Sequence, residues 1–178
     1  MPRCHSSAHH GMSILMVVAA ALFNELVHAG EIGDVLDWSR WTEVAGLPAP
    51  RYNLAVVQFS GAIYALGGED DATYSDDVFR FDGMNWTQVE DLPYPCSEMA
   101  VAVHDGRIYL IGGNTTGSSV LSYDGAAWRT EPGLPELRYG LGAAALNGIL
   151  YAVGGMERGA QCDVFQFADG VWSEAPAL

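Results

Sequence analysis

Lysine is absent from this 178-residue chain: its eight cationic side chains are all arginine, against 22 acidic residues. A formal charge of −14 leaves no clustered cations for a phosphate backbone. That excludes nucleic acid as a partner and disfavours docking onto anionic membrane surfaces. Charged residues make up only 17% of the chain, too few for a charge-rich disordered protein, and an aromatic content of 11% can fill a core. Cysteine is scarce, at three residues, which excludes a disulfide scaffold. Ser13 to Phe23 is an uncharged run of eleven residues. It is too short for a bilayer, which takes about 20 apolar residues.

That run has the length of the apolar region of a secretory signal. Val27-His28-Ala29 places small residues three and one before a cut at Gly30. Residues 1–29 are therefore predicted to be a signal peptide, with Arg3 the only firm charge of its leading segment. The mature chain, 30–178, still carries −14, because Arg3 and Glu25 leave together. This predicts a secreted protein, extracellular or, in a bacterium, periplasmic, with no membrane insertion after cleavage. Cys96 and Cys162 remain, and an oxidising compartment permits a disulfide between them. Asn114-Thr115-Thr116 and Asn85-Trp86-Thr87 are sequons, so Asn114 and Asn85 are glycosylation candidates in a eukaryotic host.

The chain repeats itself. Glycine pairs stand at Gly67-Gly68, Gly112-Gly113 and Gly154-Gly155, spaced 45 and 42 residues apart. Tryptophans at Trp41, Trp86, Trp128 and Trp172 are spaced by 45, 42 and 44. Tyr64, Tyr109 and Tyr151 precede the glycine pairs by three residues, and Leu47, Leu92, Leu134 and Leu178 follow the tryptophans by six. Phe81, Tyr123 and Phe167 keep a constant distance ahead of the last three tryptophans. Within a unit the pattern is that of short strands. Ser60-Gly61, Asp105-Gly106 and Asn147-Gly148 punctuate the apolar runs as two-residue hairpin turns, and Asp82-Gly83, Asp124-Gly125 and Asp169-Gly170 form a second set. Each unit reads as four antiparallel strands that cannot bury both faces alone, and stacking such blades around an axis gives a β-propeller.

With its apolar run before Gly-Gly, its spaced aromatic and tryptophan, and Leu-Pro steps at Leu47-Pro48, Leu92-Pro93 and Leu134-Pro135, the sequence resembles the kelch family from Trp41 to Leu178. The resemblance implies an all-β, kelch-type propeller of three four-stranded antiparallel blades at about 49–90, 95–132 and 137–175, plus a lone outer strand near 37–44. Two features depart from the family pattern. The turn between aromatic and tryptophan is tighter than usual, and Cys96 stands where Arg51 and Arg138 stand in the other copies. Closed propellers have 4–8 blades. Three blades, with the chain stopping at the leucine of a Leu-Pro step, read as a C-terminally truncated product of a longer propeller. The alternative is a three-blade unit that forms a homodimer to close a ring.

The family includes copper enzymes of the galactose oxidase group, but that site needs two imidazoles and the mature chain has His104 alone. No cofactor and no metal are expected, and no catalytic residue is assigned. The acidic loop Glu69-Asp70-Asp71 has no counterpart in the other copies and reads as solvated. Arg51 and Arg138, equivalent in position and rare as cations, are the candidate ligand-binding residues, able to hold a carboxylate bidentately; a structural role in their blades is the plainer reading. The resemblance implies a protein or peptide partner for a recognition module. The alternative is a carbohydrate-active enzyme similar to the kelch-type sialic acid mutarotases. It would take an acidic sugar on Arg51 or Arg138, with Glu69 or Glu157 as acid–base carboxylates.

Overall fold

A computed structural model describes residues 42–175. The predicted signal peptide lies outside the described residues, as does most of the lone strand placed near 37–44; residues 42–44 are not in a strand. The chain divides after Val44, and every strand among the described residues belongs to the second unit. The first blade holds β1 (Ala55–Phe59), β2 (Ala62–Leu66), β3 (Val78–Phe81) and β4 (Trp86–Gln88). The second holds β5 (Ala100–His104), β6 (Arg107–Ile111), β7 (Val120–Tyr123) and β8 (Trp128–Glu131). The third holds β9 (Gly142–Leu146), β10 (Ile149–Val153), β11 (Val164–Ala168) and β12 (Val171–Glu174). Each sheet is antiparallel with its strands in chain order, and no helix occurs among the described residues. These are the four-stranded blades expected from the repeat.

Turn chemistry sets the register. Ser60-Gly61, Asp105-Gly106 and Asn147-Gly148 all have positive φ at both central positions, the geometry whose twist matches two flanking strands. They pair Phe59 with Ala62, His104 with Arg107 and Leu146 with Ile149. The tight second turn is closed by an aspartate carboxylate. Asp82 Oδ1 accepts the amides of Met84 and Asn85 at 2.8 Å, and Asp124 Oδ1 accepts those of Ala126 and Ala127 at 3.1 and 3.0 Å. In these two blades a side-chain acceptor stands in for a backbone carbonyl, whereas the third makes the same span through Asp169-Gly170, with positive φ at both positions.

Strand alternation gives each blade two apolar faces, and the blades stack face to face. Tyr64, Leu66 and Val78 of the first blade meet Met99, Leu110 and Leu121 of the second. Tyr109, Ile111 and Val120 of the second meet Leu150, Phe165 and Phe167 of the third. The inner strands β1, β5 and β9 are neighbours in that order. Every described repeat tryptophan stitches backward across a step between blades. The indole N–H of Trp86 donates to Ala45 O (2.9 Å), that of Trp128 to Glu90 O (3.1 Å) and that of Trp172 to Pro132 O (2.9 Å). The acceptors keep the repeat spacing, so one bond is made three times.

At the inner ends a second series runs through backbone alone. The N–H of Glu98 donates to Asn53 O (3.0 Å), and that of Gly140 donates to Glu98 O (2.8 Å). These three equivalent residues share left-handed φ values of 53°, 57° and 59°. The glycine pair serves the same contact region. Gly112 has a φ of 68°, and a Cβ there would strike the carbonyl of Arg138 in the next blade's leading segment. Only glycine lets the two backbones come that close.

Candidate functional site

Arg51 and Arg138 both pair with carboxylates of their own blades, the structural role that is the plainer reading of their positions. Each sits just before its blade and turns its guanidinium onto the aspartate that immediately precedes that blade's third strand, Arg51 onto Asp77 and Arg138 onto Asp163. Arg51 also donates to Gly67 O and lies over the Phe79 ring, 5.5 Å from its centroid. Arg138 donates to Glu136 (2.8 Å) and Leu137 O (3.0 Å) and lies over Phe165 at 5.4 Å. Only 1% of the Arg138 side chain is exposed, against 25% for Asp163. Burial pulls the Arg138 guanidinium downward, but its bonds to Asp163 and Glu136 outweigh that and raise it, while the bond from Arg138 holds the Asp163 carboxyl below the usual carboxylate range. The reason is electrostatic: a rare cation buried in a blade must keep a counter-ion, and the nearest one is intramolecular.

The second blade departs from this pattern at both positions. Cys96 replaces the arginine, and Ser119, which precedes β7, replaces the aspartate. The backbone confirms the equivalence, because Gly67, Gly112 and Gly154 donate to Asp77 O, Ser119 O and Asp163 O at 3.0, 2.9 and 2.9 Å. A shallow groove of about 610 Å³, lined in part by Ser119, lies between the first two blades. Its lining is Tyr74, Tyr94, Pro95, Thr115, Thr116 and Ser119. Thr115 donates to Pro95 O (2.7 Å) and Thr116 to Gly112 O (2.8 Å), so the walls are tied together by their own hydroxyls. Burial raises the Tyr94 phenol, and a hydrogen bond with Ser119 opposes that in part. Cys96 lies beneath, its Sγ 3.4 Å from Thr116 Oγ1.

Cys96 and Cys162 are both free, so the disulfide that an oxidising compartment would permit is not formed in this structure. Cys96 is buried between Ser97, Gly112 and Thr116, whereas Cys162 is exposed on the loop of the third blade. The two sequons differ in access. Asn85 lies exposed in the turn between β3 and β4, whereas Asn114 is half-buried with its Oδ1 enclosed, and Thr116 of the same sequon points inward. The acidic loop is internally organised. Asp70 Oδ1 accepts the amides of Ala72 and Thr73 at 2.8 and 2.7 Å, which lowers its carboxyl, and Glu69 Oε1 accepts from Asn53 (2.8 Å) and from Ser97 (3.2 Å) of the next blade. His104 is buried at the end of β5, edge-on to Tyr109. No cluster of three metal-ligating side chains occurs among the described residues, and no helix among them is long and apolar enough to cross a membrane.

Sequence reasoning noticed Cys96 but missed Asp77, Asp163, Ser119 and the groove. The signal was present: aligning the residue before each third strand gives Asp, Ser and Asp, and it changes in step with Arg, Cys and Arg.

Compared with known proteins, residues 50–93 match the family model described as the kelch motif. No curated protein matches the chain significantly. The match spans the whole first blade, from the step before Arg51 to the Leu92-Pro93 step after β4. The second and third blades repeat its strand order, first hairpin turn and tryptophan bond. The first blade thus carries a kelch motif, and the other two blades share its four-stranded architecture.

Proposed function

We propose that the chain is a secreted recognition module that holds a cationic peptide segment of a partner protein in the groove between the first two blades. One observation carries this reading: the groove opens at the one described blade whose Arg–Asp pair is replaced by Cys96 and Ser119. Tyr74 and Tyr94 offer flat apolar surface for proline or aromatic side chains, and the hydroxyls of Thr115 and Ser119 offer polar contacts at its rim. The loop that supplies Tyr74 also carries Asp70, Asp71 and Asp76, and the chain is strongly acidic, so charge complementarity selects a basic ligand. The signal-like leader supports secretion. The acidic-sugar alternative needs an accessible arginine, and the guanidinium groups of Arg51 and Arg138 are both engaged within their own blades.

Fluorescence anisotropy with labelled peptides of equal length tests the reading. Peptides carrying Arg, Pro and Tyr are expected to bind, with affinity falling about tenfold on Tyr94→Ala or Tyr74→Ala and weakening as salt rises. Equal binding of acidic peptides, or indifference to both substitutions, would sink it.

A further inference from the structure

We propose that Asn147-Gly148, the turn between β9 and β10, is a self-modifying site that converts Asn147 to aspartate and isoaspartate. The Gly148 nitrogen attacks the side-chain carbonyl carbon of Asn147. The side-chain nitrogen departs as ammonia, carrying the proton that the Gly148 nitrogen gives up. Water then opens the resulting cyclic imide at either carbonyl. Opening at one restores the backbone with aspartate, and opening at the other routes the chain through the former side chain as isoaspartate. Water is the only co-reactant, and nothing is oxidised or reduced.

Both reacting groups are free to meet. Asn147 and Gly148 are exposed, with φ values of 52° and 76°. The central amides of a two-residue turn of this shape stay outside the strand ladder. Neither the Gly148 N–H nor the Asn147 side chain has a hydrogen-bond partner among the described residues. No Cβ shields the attacking nitrogen, and the space where one would stand is empty. Access to this end of a blade does not depend on what stands beside the third blade. Ser60-Gly61 and Asp105-Gly106 are exposed as well, each in a blade that another follows.

The other described asparagines lack this combination. Asn53 donates to Glu69 (2.8 Å) and is followed by Leu54. Asn114 has its Oδ1 enclosed and is followed by β-branched Thr115, and Asn85 precedes the bulky Trp86. Of the Asp-Gly turns, Asp82 and Asp124 hold their carboxylates against two amides each, and an ionised carboxylate is a far poorer electrophile than an amide. The consequence lies in register. The turn pairs Leu146 with Ile149 and so sets β9 against β10. Isoaspartate adds a methylene to the main chain of this two-residue loop and spoils that match. The groove is lined by residues no later than Ser119, so ligand binding there is a separate property.

Peptide mapping by mass spectrometry of the folded chain, aged in mildly alkaline buffer, tests the proposal. The peptide holding Asn147 is expected to gain one dalton and split into two chromatographic forms, before any change at Asn53, Asn85 or Asn114. Its rate should lie within about tenfold of that in the urea-unfolded chain, because a turn can open without global unfolding. Gly148→Ala is expected to suppress the conversion. Asn147→Asp, which borrows the dipeptide of Asp105-Gly106, should melt with the unaged chain, whereas the isoaspartate fraction should melt lower. Earlier conversion of another described asparagine, conversion of Asn147 only in urea, or a rate unchanged by Gly148→Ala would overturn the site. An isoaspartate fraction as stable as Asn147→Asp would overturn its effect on the hairpin.

Discussion

Arg138 reaches from the segment before the third blade to Asp163, 25 residues later, and the pair fastens the start of one strand to the chain that leads into the blade. The arginine is nearly fully enclosed and the aspartate a quarter exposed. Arg138→Ala is expected to cost about 3 kcal/mol, the lower end of the range for breaking a buried pair, because Asp163 can still be hydrated. Arg138→Lys should recover little, since an ammonium cannot span Asp163, Glu136 and Leu137 O while lying flat on Phe165. Urea midpoints of the two variants measure this.

Acid should loosen the fold in a defined window. Arg138 lowers the Asp163 carboxyl, and backbone amides lower Asp70, Asp82 and Asp124. A carboxyl depressed in the folded state contributes stability above its unfolded value, about 3.9, and that contribution is lost as pH falls through the folded value. Melting temperature is therefore expected to hold from neutral pH to about 5 and to drop below about 4, with a shallower drop in Asp163→Asn. Thermal melts across pH 3–7 decide it, and an equal slope in the variant would refute the assignment.

Two glycine substitutions separate crowding from backbone strain. Gly148 has a φ of 76° with open space where an alanine methyl would stand, so Gly148→Ala should cost only about 1 kcal/mol of left-handed strain. At Gly112 the added methyl meets the Arg138 carbonyl as well, and Gly112→Ala should cost at least about twice as much. Equal losses in chemical denaturation would show that the interblade contact gives way freely.

Thiol titration reads the cysteines. In a chain of residues 30–178, which lacks Cys4, Cys162 is expected to react at once with an aromatic disulfide reagent, and Cys96 only after denaturant is added. Two slow thiols, or none, would contradict the free, unequal pair.

Trp172→Phe keeps most of the ring and removes the bond to Pro132 O, for an expected loss of about 1 kcal/mol, whereas Trp172→Ala also empties the space against Phe167 and should cost about 3–5 kcal/mol. Denaturant midpoints of the pair separate the bond from the packing.

The blades were legible because glycine pairs, tryptophans and turn dipeptides act locally: Asn147-Gly148 dictates a hairpin whatever surrounds it. The role of the arginines was not legible from either residue alone. Arg51 and Asp77 are 26 positions apart, and neither carries a local signal. The sequence favoured a structural role for Arg51 without showing which anion it meets, because a buried guanidinium takes its partner from the fold. The groove was hidden for a related reason, since its lining comes from residues as far apart in sequence as Tyr74 and Ser119.

The bonds from Glu98 to Asn53 and from Gly140 to Glu98 use main-chain atoms alone. Asparagine, glutamate and glycine already share this role, so the position asks for a backbone shape and leaves the side chain unspecified. Mutation can therefore recolour the mouth of the assembly, trading charge for amide or for nothing, while the seam between blades stays closed. Stability and surface chemistry are inherited separately there, and drift in one leaves the other intact.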